Sequence, residues 1–290
     1  MNVKPPLRLF VLIACFVFSA AVYGSSSVWL VEKDGSKLYL GGTLHLLSAP
    51  DFPLPEEYDR AYSQSDSLVF EADIREANSM QGQAMAMSAM MYKDERTLES
   101  VLQPKTYELL STYLEAKGIP LVMFNRFTAG GMSVTITALE MQALGYTQGG
   151  VDMHYLNKAS SDAKPMLFLE KLEEQLAFVA SLGEGQEDEI ISYSLSEIDR
   201  MPAMLSTMKA QWRAGDIKGL EQSAVSEMRE VFPAAYDSLL VERNQNWMPK
   251  LLHMMDTKEV EFVLVGAAHL VGDEGLIKQL EERGYQITQL

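Results

Sequence analysis

"LYLGGTLHLL" occupies residues 38–47, and "FVLVGAAHLV" occupies residues 262–271. Each is a short apolar run with β-branched and large side chains, the pattern of a strand. Each then breaks at a glycine followed by two residues and a histidine, Gly42 to His45 and Gly266 to His269. After the first, "LPEEYDRAYSQS" (54–65) sets Pro55 and acids at a helix start. The strand-like "DSLVFEADI" (66–74) then carries Glu71 and Asp73 at its end. After the second come the helix pattern "DEGLIKQLEERG" (273–284) and a last strand, "YQITQL" (285–290). Two copies are too few for a solenoid. They fit an α/β fold whose central mixed β-sheet is built from two pseudo-symmetric strand–turn–helix–strand units at the chain ends, with a large helical insertion between them.

The insertion reads as helix over 104–118, 130–145, 150–161, 171–182, 186–213, 216–230 and 233–255, with one strand-like run, "KPMLFLE" (164–170). The segment 130–145 is apolar nearly all round, which predicts a buried helix. No low-complexity linker divides the chain, so residues 25–290 are expected to form a single domain.

Residues 1–24 read as a secretory signal peptide. "MNVKPPLR" is basic, "LFVLIACFVFSAAV" (9–22) is apolar, and "YGSSS" is small. The apolar run is short for a permanent membrane span and continues well past Cys15, which argues against a lipoprotein anchor. A periplasmic or secreted protein is expected, with no stable membrane span after signal cleavage. Cys15 is the only cysteine, so no disulfide is available to the mature chain. Without the signal the chain holds 22 basic and 40 acidic residues, a net charge of −18. Such a surface repels nucleic acid and anionic lipid.

In an α/β sheet, ligands collect where loops leave the carboxyl ends of strands. If the two units share one sheet, His45 and His269 converge there, and Glu71 is the nearest carboxylate beside Asp73. Two imidazoles and a carboxylate suit a borderline divalent ion such as zinc, manganese or cobalt. An ion with an open position acidifies bound water and polarises a carbonyl, the chemistry of hydrolysis. Histidines that merely hydrogen-bond in turns are the alternative, and the repetition of the motif counts against it.

The paired G-x-x-H motifs, with "VFEAD" after the first, resemble the TraB/GumN family, which is related to the Tiki metalloproteases and to the erythromycin-esterase and ChaN-like group. The resemblance runs from about Val28 to Leu290 and includes "GVDMHYLNKA", "LEKLEEQLAFVASL", "ERNQNWMPKL" and "VGAAHLVGDEGLIKQLEERGY". It implies an α/β core with both histidines in one site and, in the Tiki branch, metal-dependent peptide cleavage. His45 and His269 match the motif histidines as metal ligands. Glu71 matches the acidic position, as a third ligand or as the base acting on water. Arg243 and Asn244 match the family's "RN" pair, assisting catalysis by holding a substrate carboxylate, stabilising an oxyanion or orienting a ligand.

Other candidates carry a plainer reading. Asp152 opens the "GVDMHYL" helix as a cap or as a partner behind a ligand. His154 and His253 read as ordinary helix residues. Glu170 or Gln175 could reach the site. The methionines between Met80 and Met91 read as a core helix, with a lid, a peptide-binding surface or a Cu(I) site as alternatives. The expected function is an exported metal-dependent hydrolase acting on a peptide or small-molecule substrate. The alternative is a periplasmic protein that binds a metal, haem-like group or small ligand without turnover.

Overall fold

The computed structural model describes residues 26–146 and 148–290; the expected signal peptide, with Cys15, lies outside the described residues. Among the described residues eight strands form: β1 (Val28–Lys33), β2 (Ser36–Thr43), β3 (Leu46–Leu47), β4 (Ser67–Phe70), β5 (Gln148–Gly149), β6 (Met166–Phe168), β7 (Glu261–Gly266) and β8 (Gln286–Gln289). Six make one mixed sheet in the order β6-β4-β7-β2-β1-β8, and β3 pairs with β5. The fold is α/β, with helices between β4 and β7 supplying the large insertion.

The two motif strands are direct neighbours. β2 and β7 run parallel, with Tyr39 beside Phe262 and Thr43 beside Gly266. On its other side β7 runs parallel to β4, with Phe70 beside Leu264, and β4 runs parallel to β6. Parallel strands end on the same edge, so the residues following Thr43, Phe70, Phe168 and Gly266 all emerge together. β7 is buried along its whole length and β4 likewise, as the continuous apolar runs of a covered parallel sheet require.

β1 was not part of the sequence expectation. It pairs antiparallel with β2 through the turn at Asp34 and Gly35, both at positive φ (51° and 88°). Asp-Gly is the dipeptide that such a two-residue hairpin turn favours. The end of β2 is anchored from behind: the Gly42 carbonyl accepts from Trp212 Nε1 at 2.7 Å and from the Tyr58 hydroxyl.

A second core lies within the insertion, around Leu98, Leu110, Leu114, Met132, Ile136 and Ile191, apart from the main core on the sheet. Two expectations need correction there. The Ala129–Ala143 helix buries its first turns and Ile136, and its last turns are largely open. The Met80–Ala89 helix is not a core element: only Gly82 is buried, and Met80 and Met87 are 89% and 52% exposed.

Candidate active site at the carboxyl ends of the parallel strands

Gly266 is the centre of the site. A methyl group on its α-carbon would lie 3.3 Å from Glu71 Oε1, 3.6 Å from His269 Cδ2 and 3.7 Å from His45 Nε2. Three side chains from three strand ends therefore ring one residue that has no side chain of its own.

The histidines are held differently. His45 sits in an open bend after β2, while His269 is buried in the four-residue helix Ala267–Leu270 that follows β7. The bend is tied to the Val151–Asp162 helix: Gly150 N donates to His45 O at 2.8 Å, and Val151 N to Leu44 O at 3.1 Å. Gly150 must be glycine for this approach, because a Cβ there would stand 1.8 Å from Leu44 O. The contact brings Asp152 to His45, with Oδ2 at 3.0 Å from Nδ1. Asp152 is therefore not the helix cap, a position Gly150 occupies. The charge of Asp152, ahead of its hydrogen bond, pushes His45 up to about 9. Solvent reaches 65% of that imidazole and screens part of the pairing.

On the far side, the Glu242–Met255 helix aims Arg243, Asn244 and Trp247 inward. Asn244 Nδ2 donates to two carbonyls, His269 O at 3.1 Å and Glu274 O at 2.8 Å. That fixes the amide, so its Oδ1 accepts from His269 Nδ1–H at 2.8 Å. His269 is thus the Nδ1–H tautomer, and Arg243 Nη1 donates to its Nε2 at 3.0 Å. Burial pushes His269 down to about 3, so it is neutral at pH 7.

Glu71 accepts from Gly266 N through Oε1 at 2.7 Å, and from Arg243 Nη2 through Oε2 at 2.6 Å. Gln175 Nε2 adds a longer bond to Oε2 at 3.3 Å. Burial would raise this carboxyl, yet His269, Arg243, His45 and the Gly266 N–H together bring it down to about 2. At pH 7, where His269 is neutral, the positive charges facing Glu71 are those of Arg243 and His45. Glu170 completes the group, taking Arg243 Nη2 on Oε1 at 2.6 Å and Arg243 Nε on Oε2 at 3.1 Å. Its own carboxyl is raised by burial, with Arg243 pulling the other way. Trp247 Nε1 donates to Glu170 Oε2 at 3.1 Å, and its ring lies 4.4 Å from the His269 ring.

The five residues expected at the site, His45, Glu71, Arg243, Asn244 and His269, thus meet at one strand edge. Glu170 and Gln175 both arrive with them, where only one was expected. Glu170 follows β6 as Glu71 follows β4, and Glu170 N donates to Glu71 O at 2.8 Å. The signal was available in "VFE" and "LFLE", two strand-like runs each closed by an acid. Trp247 joins the site from one helical turn beyond Arg243, a position that no sequence motif singles out. Asp73 turns away to cap the Ile74–Ala77 helix and pair with Arg75. His154 packs on Phe52 and Tyr155, and His253 is an exposed helix residue.

Imidazole and carboxylate are donor types that a divalent ion can take. Two imidazoles and a carboxylate face one glycine, and each imidazole gives its Nδ1 to an oxygen behind it, as ligating histidines do. Among the described residues these side chains do not form a ready cluster of three or more ligands, and Arg243 stands among them.

The family model for the TraB/PrgY/gumN family matches residues 27–289. The chain belongs to that family. It is similar to the uncharacterized protein YbaP of Escherichia coli K12, at 26% identity over 267 residues, covering 90% of this chain and 96% of YbaP. The Shigella flexneri YbaP matches equally, at 26% over the same length. No solved structure matches. No helix among the described residues is long and apolar enough to cross a membrane.

Proposed function

We propose that this TraB/PrgY/gumN family member is an exported metal-dependent hydrolase, cleaving peptide bonds at the Gly266 site. The observation that carries the reading is the matched treatment of the two histidines. Asp152 and Asn244 each take an Nδ1, so that His45 Nε2 faces Gly266 and His269 Nε2, which accepts from Arg243, lies 3.9 Å from Glu71 Oε1. A scaffold needs no such convergence on an empty α-face.

His45 Nε2, His269 Nε2 and Glu71 would hold a manganese, cobalt or zinc ion. When bound, it would supply Lewis acidity and an activated water. Glu71 serves this reading better as ligand than as base, because a carboxyl held near 2 is a weak proton acceptor. Asn244 sets the His269 tautomer, and Arg243 holds Glu71 in place. A substrate oxygen could reach Arg243 only by displacing one of its present partners. His45 is the member open to solvent, so substrate would approach from its side.

A non-catalytic binding protein is the second reading, favoured by the same low proton affinity of Glu71. Purified protein, loaded with each ion in turn and offered a mixed peptide library, separates the two by mass spectrometry of the products. Hydrolysis is expected from the parent and is absent from the His45→Ala/His269→Ala variant. Ion binding without any cleavage would leave the binding reading.

A further inference from the structure

Arg243 has five N–H groups, and each has an acceptor. Nε bonds Glu170 Oε2, Nη1 bonds Leu239 O at 3.2 Å and His269 Nε2, and Nη2 bonds Glu71 Oε2 and Glu170 Oε1. Two of these acceptors, on His269 and Glu71, belong to the side chains that a divalent ion would use.

A neutral imidazole has one lone pair, in the ring plane on the unprotonated nitrogen. In His269 that nitrogen is Nε2, because Asn244 fixes the proton on Nδ1. An N–H···N bond and a metal–nitrogen bond of about 2.0–2.1 Å both need that lone pair, so they exclude one another. The excluded group also carries a positive charge, which a nearby cation repels.

We propose that Arg243 is a built-in competitor of the metal ion: it occupies His269 Nε2 and loads Glu71, and the ion binds only as Nη1 leaves His269. The inference rests on the reading that this site takes a metal. Glu170 makes the exchange local. The guanidinium is rigid and moves as a unit, and the Glu170 oxygens that accept from Nε and Nη2 are the pivot on which Nη1 swings off His269 Nε2. Trp247 is placed to report the event, since the Arg243 guanidinium lies 4.7 Å from its ring and His269 lies against it.

Arg243→Lys isolates occupancy from charge. Lysine keeps the positive charge but is a point donor without the planar fork, so it cannot hold His269, Glu71 and Glu170 together. The parent and the variant are each titrated calorimetrically with manganese, cobalt or zinc chloride alone. Competition predicts that Arg243→Lys binds the ion about tenfold or more tightly, the equivalent of one charge-assisted hydrogen bond released. Equal or weaker binding, in a variant with native circular dichroism, overturns the competition and leaves the metal reading standing. Binding by neither protein overturns both. If the lysine variant does not fold, Trp247 fluorescence of the unmodified protein decides. Ion loading is expected to shift an emission that disappears in Trp247→Phe, and an unshifted emission on proven loading overturns the proposal.

Discussion

Asp152 and Asn244 perform one task from opposite sides of Gly266, each fixing the Nδ1 of a histidine. They leave those histidines in different protonation states because buried Asp152 is charged and pairs with a His45 open to solvent, whereas Asn244 is neutral and His269 is itself buried. Asp152→Asn removes the charge that raises His45. The His45 pKa, followed by NMR titration of its ring protons, is expected to fall from about 9 towards 6.5. Metal affinity is expected to drop about 10–100-fold, the usual result of losing a partner behind a ligand. His269 and Glu71 set the acid limit of stability. His269 has its pKa at about 3 when folded against 6.5 as a free side chain, so below 6.5 the unfolded chain binds the extra proton. Its stabilising contribution is complete above 6.5 and declines as pH falls towards 3. Glu71, at about 2 against 4.5, adds a further loss as pH falls below 4.5. Glu261, raised to about 7 by burial, works the other way in the same window, so the His269 share is read as a difference. The urea midpoint of the parent minus that of His269→Gln should fall steadily between pH 6.5 and pH 4.5.

At the scale of elements, β2, β4 and β7 do the positioning, because three adjacent parallel strands must end on one edge. This much was legible: the repeated apolar run, glycine and histidine gave the strands, and the acid after "VF" gave Glu71. What the sequence hid was contact between elements distant along the chain. Asp152 looked like a cap because its neighbours are helical. Only the close approach of Gly150 to Leu44 shows that the helix start is bound to the His45 bend. Gly150→Ala tests that link, since its Cβ would meet backbone, which cannot swing aside as a side chain can. A loss of about 1–3 kcal/mol in unfolding free energy is expected. His45 should also lose its raised pKa as Asp152 is pushed away. An unchanged denaturation midpoint would show that the loop and helix are not so coupled.

For the molecule as a whole, the insertion has its own core yet contributes Glu170, Gln175, Arg243, Asn244 and Trp247 to the site. Periodicity suggested its helices but could not say which residues face β7, since charged side chains such as Arg243 read as surface until their partners are seen. The methionine helix reads as core for the opposite reason, and it stays exposed because apolar composition alone does not supply a covering surface. Leu110 lies in the second core, away from the Gly266 site. Leu110→Ala should therefore cost about 2–5 kcal/mol of stability while leaving metal affinity at working temperature unchanged. Calorimetry of the same sample for unfolding and for ion binding checks both halves. The central claim, that one ion is held at Gly266 by both motif histidines, is tested most directly by elemental analysis. The parent and His45→Ala/His269→Ala are loaded with manganese, cobalt or zinc and freed of excess ion. About one ion per chain in the parent and none in the variant is the expected result; equal metal content in the two proteins would contradict it.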